Sequence, residues 1–158
     1  DVQTHENRLE HTNRPDPRGE LAAKFSVHYV VCRGLLDGKV VLSNFENEAY
    51  MDKDMRALLP KVSATSHTDD DYTGTVTVTL KDGTQLTETA WVPFGRGPKN
   101  PMSADELKAK FVDCAQRALP AETVERLHDT LWDIENLKSV RDITDIMALP
   151  KSAAQAAE

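Results

Sequence analysis

Residues 75–92 read TVTVTLKDGTQLTETAWV, and this stretch decides the class of fold. Val76, Val78 and Leu80 alternate with threonines, which is the period-two pattern of a strand with one buried face. The Lys-Asp-Gly sequence at 81–83 supplies a tight turn, with glycine at the position that requires a positive φ. The stretch therefore predicts a β-hairpin.

Helical patterns flank this hairpin on both sides. Upstream, the sequence predicts a brief strand with a turn of helix over residues 1–13 and a helix over 20–36. A second helix over 52–59 and a strand over 61–67 follow. Downstream, it predicts a helix over residues 103–119 that begins with a capping box of Ser103 and Glu106, a helix after Pro120, and a helix over about 139–148. This order indicates an α+β fold: a small antiparallel sheet with a central hairpin packs against helices and carries a helical C-terminal extension.

The same pattern predicts the domain organisation. We expect an α+β domain over residues 1–119, C-terminal helices over 120–150 and a disordered tail over 151–158. The chain has 158 residues and begins with Asp1 instead of methionine, so we expect it to be a processed piece of a longer protein.

Composition excludes several classes of function. The net charge of −7 and the pI near 5.2 argue against a nucleic-acid partner, because neutralising phosphates requires a basic face. The sequence contains no apolar run long enough to span a membrane, and we expect a cytoplasmic location. Cys32 and Cys114 both lie in apolar, helix-like stretches and are interpreted as buried free thiols. No metal-ligand spacing is present, so no metal site is predicted.

Polar residues are crowded into the start of the stretch KFSVHYVVCRGLLDG at residues 24–38. In one continuous helix, Lys24 and His28 would share a face, and this cation pair would suit a di- or tricarboxylate substrate. The alternative is a surface lysine beside a histidine satisfied in the core. Tyr29 carries a phenol that can bind a carboxylate or act as a general acid, or can pair with a backbone group as a half-buried tyrosine.

The Gly/Pro-rich loop at residues 92–102 is a second candidate site, because long loops without regular structure often carry function. Arg96 and Lys99 in this loop could clamp a carboxylate, and a solvent-exposed loop tip is the alternative. The acidic run at residues 69–71 is interpreted as a solvated loop, because it lacks the spaced ligands of a calcium loop.

Two sets of motifs, in order and at matching spacing, resemble the C-terminal domain of the MmgE/PrpD family over residues 1–135. The first set is a Pro-containing loop followed by Ala23–Ser26, Tyr29 and Asp37-Gly38. The second set consists of Asp82-Gly83, Asn100–Ser103 and Lys110-Phe111. The family includes 2-methylcitrate dehydratases, cis-aconitate decarboxylases and iminodisuccinate epimerases.

The resemblance implies a two-domain enzyme without a metal or organic cofactor. A large helical domain would supply most acid and base groups, and a small α+β lid domain would close the active site. The C-terminal helices over 120–150 would pack on the helical domain. In this chain Tyr29 would be the catalytic residue of the lid, while Lys24, Ser26 and Arg96 would bind substrate. We expect the isolated chain to be inactive, because the helical domain is its necessary partner, and we expect a homodimer.

The resemblance leaves the reaction open. Dehydration of a 2-methylcitrate-like di- or tricarboxylate is the first expectation, with decarboxylation or epimerisation as alternatives within the family. A non-catalytic binding or assembly module is the alternative outside it, with residues 103–148 as the interaction surface.

Overall fold

The computed structural model describes residues 1–148, which form two compact units. The first unit spans Asp1–Pro101 and the second begins at Met102. The α+β class expected from the sequence is confirmed: the described residues form a four-stranded sheet and seven α-helices.

The sheet of the first unit is mixed. Its strands are β1 (Val2–His5), β2 (Ala64–His67), β3 (Gly74–Thr79) and β4 (Gln85–Ala90), in the order β2-β1-β3-β4. The predicted hairpin is β3–β4, and β1 pairs antiparallel with β3. However, β1 pairs with β2 in parallel, which corrects the expectation of a purely antiparallel sheet. The cause is the long helical crossover between β1 and β2, since only a connection of this length can bring the chain back in the same direction.

The helices of the first unit are α1 (Glu6–Thr12), α2 (Glu20–Lys24), α3 (Val27–Asp37) and α4 (Lys53–Leu58). Short 3₁₀ turns follow at Leu42–Phe45, Ala49–Met51 and Leu59–Lys61. The expectation of one continuous helix over residues 20–36 is wrong, because Ser26 has extended backbone angles and caps α3. Its hydroxyl accepts a hydrogen bond from the backbone N–H of Tyr29 at 3.0 Å, as a helix N-cap does.

The core of the first unit lies between these helices. Its fully or nearly fully buried apolar side chains are Ala23, Tyr29, Cys32, Phe45, Met55 and Leu59. Because α2 and α3 each contribute to this cluster, the break at Ser26 lets two short helices bury residues that a single straight helix would place on different faces.

The second unit contains three helices among its described residues: α5 (Ala104–Ala115), α6 (Ala121–Trp132) and α7 (Arg141–Met147). The predicted capping box at the start of α5 is confirmed, since Ser103 and Glu106 exchange side chain-to-backbone hydrogen bonds of 2.8 and 3.2 Å. Cys114 is exposed, contrary to expectation. The predicted tail over 151–158 lies outside the described residues, and packing of 120–150 on a further domain stays a prediction.

Candidate functional site

Tyr29 lies in the core of the first unit, at 0% exposure. Its hydroxyl donates a hydrogen bond to the backbone carbonyl of Asn44. The same oxygen accepts a hydrogen bond from Nε of Arg33 at 3.0 Å, and the guanidinium lies 5.4 Å from the centre of the phenol ring. The phenol is thus held on both sides, with its proton directed at a main-chain oxygen of the Leu42–Phe45 turn.

Arg33 is a functional candidate that sequence reasoning missed. It is buried, and its remaining donors reach the Ala49 carbonyl at 2.6 Å and the Asp37 carboxylate at 3.3 Å. The side chain of Asn44 also donates to Asp37, at 2.9 Å. The spacing 29, 33, 37 places three polar residues on one helix face, and this signal could have been read from the sequence. We call Tyr29, Arg33, Asp37 and Asn44 the buried cluster.

Two other predicted site residues flank the buried cluster. Ser26 is 1% exposed; besides capping α3, its hydroxyl donates to the carbonyl of Arg14 at 2.6 Å. Lys24 is exposed at the end of α2. The helix break separates Lys24 from His28, so the shared face expected for these two residues is wrong.

His28 takes the alternative that the sequence analysis left open. It is buried, with Nδ1 3.2 Å from the carbonyl of Val62 and Nε2 3.0 Å from Oδ1 of Asn13. Burial lowers its pKa below the ordinary histidine value, although the hydrogen bond to Val62 opposes this effect. A histidine held between two chain segments in this way stabilises the fold, and it is not placed to contact a ligand.

Arg96 lies elsewhere, at the end of the sheet opposite the hairpin turn. It sits between Gly95 and Gly97, whose φ angles of 78° and 68° are in the left-handed region that favours glycine. These glycines allow the loop to fold the arginine back over Tyr72. The guanidinium lies 4.1 Å from the centre of the Tyr72 ring, and Nη2 donates to the Tyr72 hydroxyl at 2.7 Å.

Arg8 meets the same tyrosine from α1, at 5.2 Å from the ring centre. Its Nη2 forms an ion pair of 2.5 Å with Asp71, and His5 Nδ1 lies 3.5 Å from the same carboxylate. Asp71 therefore belongs to an ion pair and not only to the solvated loop that the sequence suggested. We call Arg8, Asp71, Tyr72 and Arg96 the open cluster.

The sheet topology explains why the open cluster assembles. Gly74 at the start of β3 lies opposite both Thr4 near the end of β1 and Ala90 at the end of β4. The segments just outside these strand ends must therefore meet. The sequence analysis predicted the hairpin but did not use its register, which would have placed Tyr72 near the loop of Arg96.

A concave site of about 310 Å³ lies at the open cluster, and its lining residues include all four members. This is the lower end of the size range of small-molecule sites. Two guanidiniums facing one carboxylate make the site suitable for a further anion. Among residues 1–148, no group of three or more histidine, cysteine, aspartate or glutamate side chains could hold a metal ion.

No helix among the described residues is both long and apolar enough to cross a bilayer.

Comparison with known proteins assigns the chain to a family. The family model described as the MmgE/PrpD C-terminal domain matches residues 1–136. Cis-aconitate decarboxylase of Mus musculus is 31% identical over 155 residues, which is 95% of this chain and 32% of that relative. Cis-aconitate decarboxylase of Homo sapiens is 31% identical over 147 residues, covering 90% of this chain and 30% of that relative. The chain thus spans about a third of the length of these curated relatives.

Proposed function

This chain belongs to the MmgE/PrpD family, and on that premise we propose that it is the lid domain of a lyase acting on a small di- or tricarboxylate. The observation that carries the proposal is the family match over residues 1–136. Both curated relatives are cis-aconitate decarboxylases. We therefore rank decarboxylation above the reaction expected from the sequence, which was dehydration of a 2-methylcitrate-like acid.

We assign the catalytic role in the lid to Tyr29. Loss of CO₂ from a tricarboxylate leaves an electron pair on carbon, and a general acid must then supply a proton. The Tyr29 hydroxyl carries a proton, and Arg33 fixes its direction. In the resting chain the Asn44 carbonyl accepts this proton's hydrogen bond. Catalysis would require a substrate atom to take the place of that carbonyl, and the Leu42–Phe45 turn, whose Phe45 belongs to the core around Tyr29, would have to be displaced in the complete enzyme.

Of the other predicted residues, Lys24 and Arg96 would act in binding. Lys24 is exposed and can pair with a substrate carboxylate. Arg96 is exposed and, within the part of the chain that the structure describes, forms no ion pair with an acidic side chain. Ser26 has both of its hydrogen-bonding functions occupied in the fold, so its contribution would be to hold the start of α3, and thereby Tyr29, in place.

The complete enzyme would need a general base in addition to the Tyr29 phenol. Among residues 1–148, the Tyr29 hydroxyl bonds to the Asn44 carbonyl and to Arg33, and neither partner is a carboxylate or a histidine that could act as a base. We propose that a base comes from a helical domain outside this chain, and that the enzyme is a homodimer. The isolated chain is then inactive.

The test is turnover by the full-length protein. It should be incubated with cis-aconitate and, separately, with 2-methylcitrate, while released CO₂ and the change in unsaturation are measured. We expect CO₂ from cis-aconitate. Loss of water from 2-methylcitrate without CO₂ would instead support the dehydratase. No turnover of either acid, or of an iminodicarboxylate by epimerisation, would contradict the lyase and favour a non-catalytic binding module.

A further inference from the structure

We propose that the open cluster is a carboxylate-binding subsite in which Arg8, Tyr72 and Arg96 hold a carboxylate of the substrate, and in which Asp71 occupies Arg8 until that carboxylate arrives. The identity of the ligand as a di- or tricarboxylate rests on the proposed function. The assignment of Arg8, Asp71 and Tyr72 to binding rests on the geometry of the cluster alone.

Arg96 has donors to spare. A guanidinium carries five N–H donors, and among the described residues the side chain of Arg96 donates a single hydrogen bond, to the Tyr72 hydroxyl. Stacking on the phenol ring at 4.1 Å holds the guanidinium plane without using its N–H edge. A pre-oriented guanidinium loses less side-chain entropy on binding, and its free edge matches the two oxygens of a carboxylate.

Arg8 is held by an internal anion. Asp71 accepts from its Nη2 at 2.5 Å, and the Asp71 carbonyl accepts from its Nε at 3.4 Å. Both side chains are about half exposed, at 48% and 42%. Exposed ion pairs of this kind contribute little to stability, so an incoming carboxylate can replace Asp71 at small cost.

The local charge favours a single added anion. Arg8 and Arg96 bring two positive charges to the cavity, and Asp71 brings one negative charge. Asp70 is turned toward its own loop, where it accepts a hydrogen bond from the backbone N–H of Tyr72 at 2.8 Å. One further carboxylate therefore neutralises the cavity, and a cavity of about 310 Å³ is large enough for it.

The experiment measures binding of tricarballylate, a saturated tricarboxylate with no double bond or hydroxyl group, to the full-length protein by titration calorimetry. Arg96→Gln should weaken binding about tenfold, because it removes one charge-assisted contact. Asp71→Asn should strengthen binding several-fold, because it releases Arg8. The gain is the decisive sign, since a purely structural role for Asp71 predicts no gain.

Matched controls come from a second exposed arginine–aspartate pair. Arg18 pairs with Asp16 at 2.9 Å outside the cavity, and Asp16 also pairs with Arg56, so Arg18→Gln and Asp16→Asn make the same changes in charge away from the subsite. Neither should alter binding by more than about twofold. Circular dichroism of each variant checks that the fold is retained.

Two results would overturn the subsite: unchanged affinity in Arg96→Gln, or an equal gain in Asp71→Asn and Asp16→Asn, which would reflect net charge alone. Failure of the proposed function is separate, because it appears as absent turnover while tricarballylate binding is still measured. Conversely, normal turnover of a tricarboxylate with unchanged KM in Arg8→Gln and Arg96→Gln would contradict the proposed subsite but not the proposed lyase activity.

Discussion

In the part of the chain that the structure describes, an arginine donates to a tyrosine hydroxyl at two places, and these two pairs have opposite surroundings. In the buried cluster, Arg33 donates to the Tyr29 hydroxyl at 3.0 Å. In the open cluster, Arg96 donates to the Tyr72 hydroxyl at 2.7 Å. Tyr29 is fully buried, whereas Tyr72 is 37% exposed.

The difference teaches that the number of unused donors, and not the residue types, decides what such a pair can do. Arg33 donates hydrogen bonds to Tyr29, Ala49 and Asp37, so the buried pair has one fixed geometry. A fixed phenol is suited to delivering a proton in one direction. Arg96 retains free donors at the surface, so the open pair is suited to binding an anion.

The largest expected effect comes from Tyr29→Phe in the full-length protein. If the phenol delivers a proton, kcat on cis-aconitate should fall by about 10²-fold or more. Stability should fall by only about 1–2 kcal/mol, the usual cost of the lost hydrogen bonds. Steady-state kinetics and urea denaturation measure the two effects separately.

Tyr50→Phe is the matched control, because Tyr50 is a partly buried tyrosine packed against the same core. It should leave kcat unchanged within about twofold. If Tyr29→Phe lowers stability but leaves kcat at the wild-type value, Tyr29 is a structural residue only. The catalytic role assigned to the buried pair is then wrong.

The second effect sharpens the contrast in stability. Arg33→Met should lower the free energy of unfolding by about 2–4 kcal/mol, because it removes the donor to a buried phenol oxygen and to the Ala49 carbonyl, and the cation paired with Asp37. Arg96→Met should lower it by about 0.5 kcal/mol or less, since its contacts are exposed. Urea denaturation of the two variants gives the comparison, and equal losses would show that burial does not separate the pairs.

The third effect is the pH dependence contributed by His28. Its pKa in the folded chain lies below the ordinary histidine value of 6.5, chiefly because of burial. Its contribution to stability is therefore complete above that pH. As the pH falls below 6.5, the unfolded chain takes up a proton that the folded chain resists, and stability decreases.

Denaturation at about pH 7.5 and about pH 5.5 tests this directly. His28→Gln should show a smaller loss of stability between the two values than the wild type. His11→Gln, which changes an exposed histidine, should behave as the wild type does. An identical pH dependence in all three proteins would contradict the assignment to His28.

The smallest effect concerns the two thiols, which repeat the contrast between buried and exposed groups. Burial raises the pKa of Cys32 to about 11, so at pH 8 only roughly one molecule in a thousand carries the reactive thiolate. Cys114 is exposed. A thiol reagent should therefore label one cysteine in the native protein and two in urea, and Cys114→Ser should abolish native labelling. Labelling of Cys32 in the native state would show that the core opens.

The fold was predictable where one local signal dominated. The hairpin at 75–92 and the Ser103 capping box were expected because alternation and capping act over a few residues. The helix break at Ser26 was missed because the apolar pattern of residues 20–36 runs through it, and only tertiary burial of α2 and α3 makes the break favourable. The parallel pairing of β1 with β2 was missed because it depends on contacts between distant segments.

The candidate site divides in the same way. The motif around Tyr29 was visible in the sequence, but the Arg33 contact needed the helix register to be applied within that motif. Arg96 was chosen from its loop, and the register of the predicted hairpin would have added Tyr72, whereas Arg8 joins them only through the pairing of β1 with β3. Contacts set by strand register over such separations cannot be read from composition or spacing.

The most direct test of the account is the kinetics of the full-length protein on cis-aconitate with Tyr29→Phe and Arg96→Gln compared side by side. The buried pair should control the chemical step, so Tyr29→Phe should lower kcat with little change in KM. The open pair should control binding, so Arg96→Gln should raise KM about tenfold with little change in kcat. The reverse assignment, or unchanged kinetics in both variants, would contradict the division of roles between the two clusters.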